Sequence, residues 1–286
     1  MLDQPDNAHS FYFIDVENAA EIARLMKQAR LLSTAFDTLP EALQAVENWH
    51  ILDLACGPGE WVCRIAQGHP SCQVTGIDIS QLMIDYATHI AETMQLHNTH
   101  FRVMDVRQQL EFCDSSFDAI HASLLLSFLV TKDWPWLLGE CMRLLRPGGY
   151  MINIEPESMG STNSDSLARY SCRLTEAMRK AGCCFTSYGE HYGISAVLPR
   201  LFQQAGFEQI RQEVFVLNYS AGMPAYKPFY ENMKTFLKLL QPFIVQNVLC
   251  SRDEIETLYA RAIGDMEAPD FCGAAYFQRL WGQKPT

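Results

Sequence analysis

ILDLACGPGEW, residues 51–61, is an apolar run that carries an acid at its end, breaks into Gly57-Pro58-Gly59 and reopens into a helix-forming stretch. Glycines suit this place for two reasons. A tight strand-to-helix turn needs permissive backbone angles, and a ligand must come close to the main chain. The loop therefore reads as a nucleotide-type binding turn. A dinucleotide fingerprint asks for a third glycine three residues after the second, where a pyrophosphate meets the helix. Val62 stands there, and no Gly-Lys-Ser/Thr of a Walker loop occurs.

Working outward, apolar runs at residues 50–54, 73–77, 101–104, 117–122 and 150–154 alternate with amphipathic stretches at 60–68, 81–95 and 134–145. Strands alternating with helices of this length predict βαβ units and a parallel sheet. The runs are apolar on both faces, as strands covered by helices on each side must be. The fold class is thus α/β, doubly wound and Rossmann-like. Upstream, Ile22, Leu25, Met26, Ala29 and Leu32 recur at helical steps, with Asp15 as N-cap and Glu17 in the first turn. A second helix is predicted over residues 40–48. Beyond Glu155 the reading gives helices at 164–181 and 193–205, a strand at 207–219, helices at 224–247 and 253–266, and a last strand at 274–281. The expected organisation is an N-terminal helical cap, 1–48, on one domain, 49–286, with helical insertions at about 157–192 and 224–268.

Composition narrows the partners. Lys and Arg total 22 against 33 Asp and Glu, a net charge of −11, which repels a polyanion and disfavours nucleic acid. No apolar run reaches the roughly 18–20 residues of a membrane span, and LLLSFLV, residues 124–130, reads as a buried segment. The start, MLDQPDNAHS, has neither a basic nor an apolar region of a signal peptide. The ten cysteines form no Cys-x-x-Cys pair, so reduced, buried thiols of a cytoplasmic protein are expected, with no metal.

Two further acids follow the loop. VTGIDIS places Asp78 at the end of the second strand, and FRVMDV places Asp105 at the end of the third. With Asp53 they line up at successive strand ends, where open α/β sheets bind ligands. Such a site suits a cofactor with a cationic amino group, a ribose, an adenine amine and no phosphate, which describes S-adenosylmethionine. Helix capping is the plainer role for Asp78 and Asp105.

These motifs resemble the class I S-adenosylmethionine-dependent methyltransferases, in particular the small-molecule branch with its ubiquinone/menaquinone-type enzymes. The resemblance covers residues 49–155 and implies a mostly parallel seven-stranded sheet. It assigns Asp53, Ala55, Gly57 and Gly59 to the first cofactor motif, with Ala55 in place of a glycine. It assigns Asp78 to the ribose hydroxyls, Ile79 and Met83 to packing on the adenine, and Asp105, beside the Val106 amide, to the adenine amine. Ser123 falls at the end of the fourth strand, beside the expected methionine moiety. Phe117-Asp118 and Arg146-Pro147-Gly148-Gly149 match the family's fourth-strand opening and fifth-strand turn, both structural. The implied product is S-adenosylhomocysteine.

The acceptor side is less marked. No Asn/Asp-Pro-Pro-aromatic motif of base-amine methylation follows the fourth strand. Glu155, after the fifth strand, is a candidate to bind or deprotonate substrate, or a loop cap. His191 and Tyr192 are candidates to line the pocket, and His121 is a possible base or an ordinary strand histidine. The aromatic residues at 11–13 and 226–230 are candidates to close over an apolar or cationic substrate, with core packing as the plainer role, and these non-basic flanks favour an apolar or aromatic acceptor. Residues 11–32 and 164–192 are expected to roof the pocket, bringing Tyr12, His191 or Tyr192 to the methyl group and Arg24 or Arg30 to the cofactor carboxylate. Competing readings are a NAD-dependent oxidoreductase, which Val62 opposes, and a non-catalytic S-adenosylmethionine-binding protein. An arsenite methyltransferase is a narrower variant, but the cysteines do not map onto the thiols it needs.

Overall fold

The computed structural model describes Ile14 and residues 19–36, 39–43 and 46–286. The elements in chain order are α1 (Ala19–Ala35), β1 (His50–Leu54), α2 (Glu60–Gly68), β2 (Gln73–Asp78), α3 (Gln81–Thr93), β3 (Thr99–Val103) and β4 (Phe117–Ser123). They continue with α4 (Trp134–Leu144), β5 (Leu145–Pro156), β6 (Ser161–Thr162), α5 (Asp165–Lys180), α6 (Ile194–Ala205) and β7 (Glu208–Asn218). The chain closes with α7 (Tyr226–Asn247), α8 (Arg252–Met266) and β8 (Gly273–Gln283).

The sheet runs β3-β2-β1-β4-β5-β8-β6, with β7 also paired to β8. β1 through β5 pair with one another in parallel, and every pairing of β8, including that with β5, is antiparallel. Neighbouring residues of a strand feed opposite layers. Ile51, Ala119 and Ile152 join the α2 and α3 side, while Leu52, Ile120 and Met151 join the side covered by α4 and the later helices. This two-sided burial is why β1, β4 and the second half of β5 read as apolar runs. Each fully buried Leu or Ile contributes roughly 1.5–3 kcal/mol.

Three differences from the sequence reading have local causes. The sheet has eight strands, not seven, because the two-residue β6 pairs with β8 and is too short to show alternation. β5 begins at Leu145, so Arg146-Pro147-Gly148-Gly149 lies within it as an irregularity. Phe117 pairs with Leu145 but Ala119 with Tyr150, and Gly148 takes a φ of +79°. Of the helix expected over 40–48, the described residues form one 3-10 turn, Glu41–Leu43. Leu39, Leu43 and Val46 bury their side chains, and Asn48 turns the chain into β1 with a φ of +58°. The expected cap Asp15, with Glu17 and Tyr12, lies outside the described residues.

Asp118 ties the far end of the sheet together. Its Oδ2 accepts from the His50 amide at 2.8 Å and from Arg146 at 2.5 Å, joining β1, β4 and β5 away from the glycine loop. Among the described residues no helix is long and apolar enough to cross a membrane. All ten cysteines are free, and five of them are buried.

Candidate functional site

β1 delivers Asp53 and then a run of left-handed backbone: Ala55, Gly57 and Gly59 have φ of +53°, +52° and +76°. The two glycines serve different ends. A Cβ on Gly59 would stand 2.7 Å from the Ala87 Cβ and 3.0 Å from the Phe101 ring, so its missing side chain lets α2 seat against α3 and β3. A Cβ on Gly57 would meet no atom within 4 Å. It would project into open space, which is what a main chain that touches a ligand requires.

That space is a cavity of about 330 Å³ over the ends of β1, β2 and β4. Asp53, Ala55, Gly57, Asp78, Ile79, Met83, Asp105, Val106 and Ser123 all line it, and Gly59 does not. Asp78 closes β2 and braces the loop: its two oxygens accept from the Gly57 and Ser80 amides, each at 2.9 Å. Burial pushes its carboxyl above the usual range, and these amides oppose the rise. The cap of α3 is Ser80, whose Oγ accepts from the Met83 amide at 3.3 Å, which leaves Asp78 to the loop. Asp105 is held by Arg107, with Nη2 at 2.7 Å and the Arg107 amide at 3.0 Å. Burial alone would raise the Asp105 carboxyl, but the hydrogen bonds and charge of Arg107 together hold it below its ordinary value. Nothing in the sequence motifs pointed to Arg107.

Glu155 lies on the cavity wall with 1% of its surface exposed. Oε1 accepts from the Leu125 amide at 2.8 Å and Asn153 Nδ2 at 3.1 Å, whereas Oε2 has one longer contact, the Leu126 amide at 3.3 Å. It therefore caps the 3-10 turn Leu125–Ser127 and faces the cavity as well. Burial lifts its carboxyl to about 8, against the opposition of Asn153 and the two amides. Tyr192 is buried and lines the cavity, and burial raises its hydroxyl far above the ordinary range. His191 is exposed and does not line the cavity; its carbonyl accepts from Thr186 Oγ1 at 2.5 Å. Consecutive residues point apart here, so only one of the pair can face inward.

The wall opposite the strand ends is α1 and α7. Leu25, Ala29 and Leu32 come from the first, and Phe229, Met233 and Phe236 from the second. The expected roof segment 164–192 contributes Leu174, Met178 and Tyr192 at the side. Arg24 reaches the cavity, but its guanidinium is engaged by both oxygens of Glu21 at 2.6 Å and by Asn232 Oδ1 at 3.0 Å, with Phe236 4.7 Å beneath. Arg30 is exposed, 3.9 Å from Glu60 and off the cavity wall. The aromatic run at 226–230 opens α7 and supplies Phe229 to this wall, whereas Met233 and Phe236 further along the helix were not singled out from the sequence.

S-adenosylmethionine fits this arrangement. Gly57 leaves room for it, Asp78 and Asp105 stand at neighbouring strand ends with oxygens to accept from hydroxyl or amine groups, and Ile79 and Met83 line the same cavity with apolar surface. Asp78→Ala should weaken its binding by about 1.5–3 kcal/mol, the worth of hydrogen bonds to a charged group. Calorimetric titration checks this, and an unchanged Kd removes Asp78 from the site.

Comparisons with known proteins agree. Residues 51–149 match the methyltransferase domain family. The secondary metabolism regulator laeA of Coprinopsis cinerea is 26% identical over 247 residues, 79% of this chain and 57% of that protein. Demethylmenaquinone methyltransferase of Leptospira interrogans is 30% identical over 107 residues, 37% of this chain and 42% of that protein. The chain thus spans about half the length of these relatives. The structure of Haemonchus contortus phosphoethanolamine N-methyltransferase 2 with S-adenosyl-L-methionine shares the fold, with a TM-score of 0.50 and 17% identity over 92% of this chain and 53% of that one. Residues 51–149 therefore carry a methyltransferase domain.

Proposed function

We propose that the chain transfers the methyl group of S-adenosylmethionine to a small apolar or aromatic acceptor, releasing S-adenosylhomocysteine. One observation carries this reading. A single cavity joins the strand-end carboxylates and the open glycine to a wall of Leu25, Ala29, Leu32, Phe229, Met233 and Phe236. When bound, the cofactor supplies an electron-poor methyl carbon on a sulfonium. The chain's own part is positioning, which accounts for much of the rate of an in-line displacement. Asp78 and the Gly57 main chain set the depth of the cofactor, and α1 and α7 keep water from the acceptor space.

A protonated acceptor loses its proton as the new bond forms, and Glu155 is the group we place nearest that need. Oε2 has spare capacity, and a carboxyl that ionises at about 8 is a competent base near neutral pH. Tyr192 keeps its proton throughout that range and serves as a donor to the acceptor. Val62 is fully buried in the core where a dinucleotide site needs a glycine, which disfavours the oxidoreductase reading.

The test is a panel of apolar and aromatic metabolites incubated with the protein and methyl-labelled S-adenosylmethionine, beside calorimetry with S-adenosylmethionine and NAD. Binding of the methyl donor and label in an extractable small molecule are expected. Binding of NAD alone would overturn the reading, and label recovered only in macromolecules would overturn the acceptor class.

A further inference from the structure

Positions 53 and 121 are direct partners in the parallel pairing of β1 with β4, so their side chains leave the sheet on one face. There Asp53 Oδ1 and His121 Nδ1 meet at 2.7 Å, with both residues at most 3% exposed. Trp61, from the first turn of α2, stacks on the imidazole with centroids 4.0 Å apart and planes 5° from parallel. Among the described residues His121 Nε2 is buried without a hydrogen-bond partner. A buried histidine kept for packing alone would be expected to satisfy both nitrogens or to be replaced by an apolar ring. This one sacrifices a partner at Nε2 while Nδ1 is committed to a carboxylate on the cavity wall.

The order of the strand ends says which part of the cofactor lies above. Along the sheet the neighbours are β3, β2, β1 and β4. Asp105 follows β3 and Asp78 ends β2, and the resemblance matches them to the adenine and the ribose. The amino-acid end of the cofactor then falls over β1 and β4, where Asp53 and His121 sit. We propose that His121 is a positioning residue for that end, its Nδ1 aiming the Asp53 carboxylate while the Trp61 indole fixes the plane of the imidazole. Burial pushes the Asp53 carboxyl upward and the His121 contact opposes the rise, which helps keep a negative charge available there. His121 lies outside the glycine-loop stretch, at the end of which Trp61 stands.

The proposal rests on the methyl-donor reading, and the test separates the two. Wild type, His121→Phe and His121→Asn are titrated with S-adenosylhomocysteine and with 5′-methylthioadenosine, which keeps adenine and ribose but lacks the amino-acid group. His121→Phe preserves the stack and removes the donor; the Asn amide restores a donor near the place of Nδ1. His121→Phe is expected to lose S-adenosylhomocysteine affinity by about tenfold or more, the worth of one hydrogen bond to a charged group. Its affinity for 5′-methylthioadenosine should change by less than about twofold, and His121→Asn should recover most of the loss. His121→Leu takes the place of the Phe variant if that does not fold. Equal losses for both ligands, or no loss for either, would overturn the positioning role and leave His121 as packing. Failure of the wild type to bind S-adenosylhomocysteine would overturn the methyl-donor reading instead.

Discussion

Gly57→Val is expected to lose S-adenosylmethionine binding by more than about 100-fold, an effect of about 3 kcal/mol or more. Two causes act together. The new side chain would enter the cavity, because no atom of the chain lies within 4 Å of a Cβ at this position. A β-branched residue is also strained at a φ of +52°, which strains the very loop that must contact the ligand. The fold should survive, since the loop is braced from outside by Asp78 and by the Cys56 amide on the Ile77 carbonyl at 2.9 Å. Gly59→Ala offers the contrast. Its Cβ would press on Ala87 and Phe101, so the loss should appear first in thermal stability. Normal titration by Gly57→Val would reduce the loop to a turn, and the cofactor site would have to lie elsewhere.

Glu155→Gln is expected to change both the pH dependence of stability and the rate of methyl transfer. The folded carboxyl ionises at about 8, and the unfolded one near its ordinary 4.5. Below about 4.5 both states hold the proton, and the stability linked to it is fully present. Between these values the unfolded chain has released its proton and the folded chain has not, so rising pH favours unfolding; above about 8 the loss is complete. At about 1.4 kcal/mol for each pH unit of separation, the whole effect is of the order of 3–5 kcal/mol. The glutamine variant lacks this proton, so its stability should stay flat where that of the wild type falls. Above pH 8 it should exceed the wild type by roughly 2–4 kcal/mol, because it carries no buried charge; this is less than the whole effect, because the amide faces the Leu126 N–H less well than a carboxylate does. Denaturant unfolding at pH 5, 7 and 9 measures this, and parallel curves for the two proteins would show that Glu155 is not a buried titrating group. For the chemistry, kcat with a protonated acceptor should fall by about 100-fold or more while S-adenosylmethionine affinity holds. Unchanged turnover would make Glu155 a cap of the 3-10 turn and nothing further.

Much of the floor of the site was legible in the chain. A parallel strand covered on both sides must be apolar at every position, so Ile51, Leu52 and Leu54 announced β1, and Gly57 and Gly59 announced its exit. The acids Asp53, Asp78 and Asp105 were legible for a related reason. Each sits where an apolar run ends, and the end of a parallel strand is also where the sheet presents its ligand edge. Even so, the sequence did not separate the duties of the two glycines. Only the packed structure shows Gly59 against Ala87 and Phe101 and Gly57 against nothing.

Tertiary packing settled the rest. His191 and Tyr192 were equal candidates as neighbours in sequence, and the wall of the cavity took one of them. Asp53 and His121 lie 68 positions apart, and Arg24 and Asn232 lie 208 apart, so no spacing rule joins either pair. That α7 walls the cavity follows from its packing on α1, whose own amphipathic pattern says only that one face is hidden. The sequence alone determined the central strands, the loop and the strand-end acids, because backbone periodicity and turn sterics repeat over two to four residues and leave a local trace. The structure decided which helix roofs the cavity, which carboxyl is desolvated and which imidazole meets an acid, because burial depends on neighbours that the chain brings together only on folding.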